Sequence, residues 1–121
     1  MNRRKVGGKY EDEAVSYLEE NGYRILERNY RDHRFGELDA IGQKDGAIVF
    51  FEIKYRSGSA CGSPLEAVDK RKRRKISRTA LHYLTSKGYG LYSPCRFDVI
   101  GISGDRQIKH ITNAFEYCGT M

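Results

Sequence analysis

The sequence predicts an α/β fold with its elements in the order α-β-β-β-α-β-β. Three observations lead there. Two stretches, residues 4–21 and 63–87, carry apolar residues at helical spacing. Between them FGELDAIGQKDGAIVFFEIKYR (35–56) reads as two β-rich runs joined at Asp45-Gly46, a strong hairpin signal because the tightest turns need φ > 0 at both central residues. After the second helical stretch, CRFDVIGIS (95–103) alternates like a strand, and Gly104-Asp105 turns the chain into a last strand from Gln107 to Thr112. The 121 residues suit one domain with one core, so residues 1–121 are read as a single domain.

In the first helix Tyr10, Ala14, Tyr17 and Leu18 form the apolar stripe, and Gly22 is the expected stop. On a helical wheel Glu11 falls between Leu18 and Val15, inside that stripe, while Asp12 and Glu13 point elsewhere. Acidic residues suit the start of a helix because of its dipole. That accounts for a cluster of acids but not for which one turns inward. Tyr23–Tyr30 is the expected first strand.

In the hairpin, a two-residue loop at Asp45-Gly46 makes the numbers of cross-strand partners sum to 91. Asp39 then faces Glu52 and Glu37 faces Lys54, on the side that also carries Phe35, Ile41, Ile48 and Phe50. Leu38, Ala40, Val49, Phe51, Ile53 and Tyr55 form the other side. Two facing carboxylates cost up to about 1 kcal/mol. A divalent cation between them turns that cost into a binding site. The plain alternative is an exposed strand end with a Glu37–Lys54 pair.

Ser57–Ser63 (SGSACGS) is a Gly/Ser-rich loop without the lysine of a phosphate-binding loop. Ser63 as N-cap, Pro64 at the first helical position and Glu66 as the capping-box partner predict a second helix from Ser63 to Lys87, stopped by Gly88. Its inner face holds Leu65, Val68, Ile76, Thr79, Ala80 and Tyr83, with Lys72 in the middle. Lys70, Arg71, Arg74, Lys75 and Arg78 lie outward and Arg73 at the edge. From Leu65 to Ala80 this helix carries a net charge of +5, most of the chain's +6. A solvated face is the plain reading, but six consecutive basic residues exceed what solubility needs. Contact with a phosphate backbone is their simplest use. Asn113–Tyr117 is read as a tail whose Phe115 and Tyr117 dock on the core or on a second copy.

With 39% apolar and 31% charged residues, the chain has a globular composition. It has no apolar run near the ~20 residues of a membrane span. No apolar segment follows the basic start, which leaves a cytoplasmic location as the expectation. Three cysteines without C-x-x-C spacing argue against both a disulfide framework and a zinc site.

Glu11, Asp39, Glu52, Lys54 and Lys72 are thus expected to converge. Three carboxylates and a lysine beside a basic surface point to metal-assisted phosphodiester hydrolysis. Asp39, Glu52 and Glu11 would hold Mg²⁺ or Mn²⁺. Lys54 would position the attacking water or stabilise the charge of the transition state. Lys70, Arg71, Lys72, Arg73, Arg74, Lys75 and Arg78 would hold the nucleic acid.

Asp-x(12)-Glu-x-Lys across a hairpin, preceded by a helix with an inward glutamate, resembles the PD-(D/E)xK nuclease superfamily. Gly7–Glu11 (G-x-x-x-E), YLEENGYRILERNYR, GELDAIG, VFFEIKYR, Val68–Lys72 (V-x(3)-K), RFDVIGI and HITNAFE occur in an order that resembles the YraN family. These are small bacterial endonuclease-like proteins similar to Holliday-junction resolvases. The likeness spans Gly7 to Glu116. It implies a restriction-endonuclease-like core, with a central mixed β-sheet and an antiparallel hairpin flanked by two main helices. It places Glu11, Asp39, Glu52 and Lys54 at the superfamily's catalytic positions, and Lys72 at a lysine typical of the family. Two positions depart from the pattern: Tyr10 stands where a second glycine is common, and Leu38 replaces the superfamily's proline. The function implied is a Mg²⁺-dependent endonuclease acting on DNA, branched or damaged, in repair or recombination. The resolvase likeness further implies a homodimer. The competing reading is a non-catalytic module that binds DNA or RNA.

Overall fold

The computed structural model describes residues 3–56, 64–90 and 93–118, the side chains of residues 3–7 excepted. Helix α1 runs Arg3–Glu20. Strands β1 (Arg24–Asp32), β2 (Gly36–Lys44) and β3 (Ala47–Arg56) follow. A short 3-10 turn, Pro64–Ala67, leads to helix α2 (Lys70–Ser86), and strands β4 (Cys95–Ser103) and β5 (Ile108–Phe115) complete the order. The strands form one mixed sheet in the order β1-β2-β3-β4-β5. Only the β3–β4 pair is parallel, joined by the connection that carries α2. This is the α/β architecture the sequence predicts.

Side-chain alternation along β3 and β4 divides the core into two layers. Ile48, Phe50, Phe97 and Val99 pack with Ile76, Ala80, Tyr83 and Leu84 of α2. Val49, Phe51, Ile53, Ile100 and Ile102 pack with Ala14 and Leu18 of α1. The helices therefore cover opposite faces of the sheet. Among the described residues no helix is long and apolar enough to cross a membrane.

Several local expectations hold and others do not. Gly22 ends α1 at φ +91, and the Tyr23 amide returns to the Leu18 carbonyl. Gly88 ends α2 at φ +80. The start of α2 is a correction. The Pro64–Ala67 turn does not run on into the helix; Asp69 is the N-cap, its carboxylate accepting from the Lys72 amide at 2.8 Å. Ser63, the expected cap, lies outside the described residues. Packing explains why Pro64 belongs to a separate turn. Its ring lies against Gly101 of β4, where a Cβ would come within 2.7 Å of it. The tail is a second correction: β5 continues to Phe115. Phe115 is buried and stacks on Phe97 with ring centroids 4.9 Å apart, so it docks on the core. Leu38 is a third. It packs in the layer under α2, not with Ala40 as strict alternation requires; the alternation breaks at Asp39, which pairs in neither ladder and lies opposite Asn29 at φ 52.

Candidate active site

The hairpin turn sets the site. Asp45 (φ 52) and Gly46 (φ 80) both have positive φ, as a two-residue turn of this type demands. The expected register follows, from Lys44–Ala47 to Ala40–Phe51. There the ladder stops. At the next position the Asp39 carboxylate accepts the Ile53 amide at 2.7 Å, a side chain satisfying a strand amide at the point where β2 diverges from β3. Burial pushes the Asp39 carboxyl up to about 8, helped by the charges of Glu52 and Glu11 and opposed by the Ile53 amide.

Glu52 is buried, 5% exposed, and is held by two ammonium groups. Lys72 Nζ lies 2.7 Å from Oε2, and Lys54 Nζ lies 3.2 Å from the same oxygen. The inward position of Lys72 read from the helical wheel is therefore real. Burial lowers the Lys54 pKa, and its contact with Lys72 lowers it further. For Lys72 burial acts downward, but Glu52 and Lys54 outweigh it and the pKa is raised. The Glu37–Lys54 pair is not formed. Glu37 instead meets its β1 partner Arg31, with Arg31 Nη2 2.9 Å from Oε2.

Glu11 reaches this region from α1. It is half-buried, and desolvation raises its pKa, opposed by Arg28 and reinforced by Glu37, Asp12 and Glu52. Among the described residues no three His, Cys, Asp or Glu side chains gather closely enough to hold an ion. The donor set that fits a hard cation is the Asp39–Glu52 pair, since Mg²⁺ is commonly held by one or two carboxylates with phosphate oxygens and water. The charge of Glu52, which adds to burial in raising Asp39, is what a divalent cation would relieve.

A cleft of about 610 Å³ opens over the pair, with Arg71, Lys72 and Lys75 of α2 along one side and Glu37 and Asp69 also on its lining. Arg71 and Lys75, read from the wheel as outward, thus stand on the wall of the cleft. Lys70 and Arg78 are exposed and Arg74 is half-buried. Arg73 is tied to the fold: its Nε donates to the Val68 carbonyl at 2.9 Å, and its guanidinium lies 5.4 Å from the Phe115 ring centre.

Two polar clusters escaped the sequence reading. Asp32, at the end of β1, is buried and binds His82 of α2 at 3.1 Å and Arg34 at 3.2 Å. The Arg34 bonds hold its carboxyl down to about 2. The cluster fixes the β1–β2 turn, and with it Phe35, against α2. Asp98 of β4 accepts from His110 Nε2 at 2.7 Å, Arg96 Nε at 3.0 Å and the Asn113 amide at 2.9 Å. The partners lie far apart in sequence or on loosely patterned strands, so only RFDVIG hinted that Arg96 and Asp98 matter.

A family model described as uncharacterised protein family UPF0102 matches residues 10–102. A UPF0102 protein of Lachnoclostridium phytofermentans is 42% identical over 120 residues, covering 99% of this chain and all of that relative. Others from Fusobacterium nucleatum and Moorella thermoacetica are each 46% identical, covering 87% and 88% of both chains respectively. These matches agree with the motif likeness at the level of the family.

Proposed function

This chain belongs to the UPF0102 family, and we propose that it is a metal-dependent endonuclease that hydrolyses DNA phosphodiester bonds. One observation carries this reading. The fold brings Asp39 and Glu52 together where the β2–β3 ladder ends, sets Lys54 and Lys72 on Glu52, and opens the pair to a cleft with a basic wall. Mg²⁺ or Mn²⁺ bound there would supply charge neutralisation and an acidified water. Asp39 and Glu52 would hold it. Lys54, with its lowered pKa, is placed to orient the attacking water or to meet charge on the scissile phosphate. Arg71 and Lys75 would bind flanking phosphates. Glu11 would tune the carboxylate pair through space.

The likeness to the PD-(D/E)xK nucleases and junction resolvases supports the same chemistry and adds branched DNA and a paired assembly. The competing reading, a non-catalytic binding module, rests on Glu52 being neutralised by two lysines, as in a structural ion cluster. A cleavage panel of duplex, single-stranded, flap and four-way-junction DNA with Mg²⁺ separates the two. Wild type is expected to cut at least one substrate, and Asp39→Ala to lose about 10²-fold or more of that rate. Activity retained in Asp39→Ala would overturn this site. Tight binding without cleavage in wild type would favour the module.

A further inference from the structure

We propose that the stacked Tyr10–Tyr55 pair is a platform for an unpaired nucleobase, so that the preferred DNA carries unpaired nucleotides beside a duplex. This rests on the DNA-cleaving reading and deepens it.

The two rings lie 3.8 Å apart at an interplanar angle of 17°. Tyr10 is the inner ring, packed against the core layer under α1. Tyr55 is the outer ring. At 39% exposure it is one of two large hydrophobic side chains left exposed among the described residues. Both rings adjoin the site in the chain. Tyr10 precedes Glu11, and Tyr55 follows Lys54 and stands about 10 Å along β3 from Glu52. Strand alternation puts Tyr55 on the face opposite Glu52 and Lys54, at the end of the strand that carries both.

An exposed, stacked ring sets the kind of ligand it takes. Within a continuous duplex both faces of every base are covered by its neighbours. A ring that stacks needs a free face, which only an unpaired or terminal nucleotide offers. Tyr and base rings stack without regard to sequence. The surroundings suit the backbone of such a nucleotide. Tyr55 and Arg56 pair across to Ile102 and Ser103, which brings the β4–β5 turn beside the platform. Arg56 is exposed. Arg106 in that turn is 64% exposed, with a surface contact to Glu13 at 3.4 Å. Such a pair contributes little and can yield to a phosphate.

The test uses Ca²⁺ in place of Mg²⁺ to suppress turnover. The probe is DNA with a single-stranded overhang whose first unpaired position is 2-aminopurine, compared with the blunt duplex. Wild type is expected to bind the overhang more tightly and to quench the 2-aminopurine. Tyr55→Leu keeps an apolar side chain but no ring. It is expected to weaken overhang binding about five- to a hundredfold, the range for losing one base–aromatic stack, with duplex binding unchanged. Tyr55→Phe is expected to restore both affinity and quenching. Equal wild-type affinity for the two DNAs, absence of quenching, or overhang binding unaltered in Tyr55→Leu would each overturn the platform while leaving the nuclease reading in place. Parallel loss on overhang and duplex would overturn it too, as a structural effect. Failure of wild type to bind either DNA would remove the nuclease reading, and the platform with it.

Discussion

Asp39 is the residue at which structure and chemistry conflict most sharply. It bonds the Ile53 amide, yet it is desolvated beside Glu52, and its carboxyl is pushed from 3.8 up to about 8. A folded-state pKa above the unfolded value means that the native protein keeps a proton the unfolded chain releases between about pH 4 and 8. Wild-type stability is therefore expected to fall as pH rises through that window. Asp39→Asn retains an oxygen for the Ile53 amide and has no charge to bury. Thermal unfolding should show it equal to wild type near pH 4 and more stable by pH 8, by a margin on the order of a few kcal/mol. Ca²⁺ at pH 8 should narrow the difference by stabilising wild type alone. A constant difference across pH would show that Asp39 is not the strained group.

At the scale of elements, α2 breaks a local rule. Its first turn is Lys70-Arg71-Lys72, with no acidic residue, although cations near a helix N-terminus oppose its dipole by about 0.3–1 kcal/mol each. The Asp69 cap offsets part of this. Such a conflict is expected where function overrides propensity. Lys72 uses it to reach Glu52, and Arg71 and Lys75 use it to line the cleft. Reversing both wall charges, Arg71→Glu with Lys75→Glu, should weaken DNA binding. It should also reduce the slope of log affinity against log salt by about 2. An unchanged slope would place the DNA elsewhere.

For the whole molecule, the sheet is closed by a polar anchor as well as by its two apolar layers. Asp98 is fully buried, and burial alone would raise its pKa; His110, the Asn113 amide and Arg96 hold it below the ordinary value instead. Through His110 Nδ1 the network reaches Tyr17 of α1 at 3.1 Å, and through Arg96 it reaches Tyr23 at 2.6 Å. It thus ties α1, the entry to β1, β4 and β5 together. Asp98→Ala leaves Arg96 and His110 without their acceptor and should cost about 3–5 kcal/mol by denaturant unfolding. Because the folded pKa is lowered, this contribution is present at neutral pH and is lost as pH falls through the acid range. A loss under about 1 kcal/mol would show that the network is not holding the sheet.

The order of elements, the hairpin register, the inward Lys72 and the half-buried Glu11 were all written in local pattern. Turn chemistry, strand alternation and helical period act over a few residues, so they can be read without the fold. The true start of α2, the burial of Phe115 and the Asp32 and Asp98 clusters were decided only by tertiary structure. Each depends on a partner distant in sequence: Gly101 for Pro64, Phe97 for Phe115, His82 for Asp32, His110 for Asp98. The same division runs through the candidate site. The sequence names Asp39 and Glu52 as neighbours, because a two-residue turn leaves them no other register. Only the folded chain ends the ladder beside them, buries Glu52 with Asp39 half-buried beside it, and gives Glu52 two lysines and Asp39 a raised pKa. Burial and through-space charge are properties of the packed molecule, and no local pattern carries them.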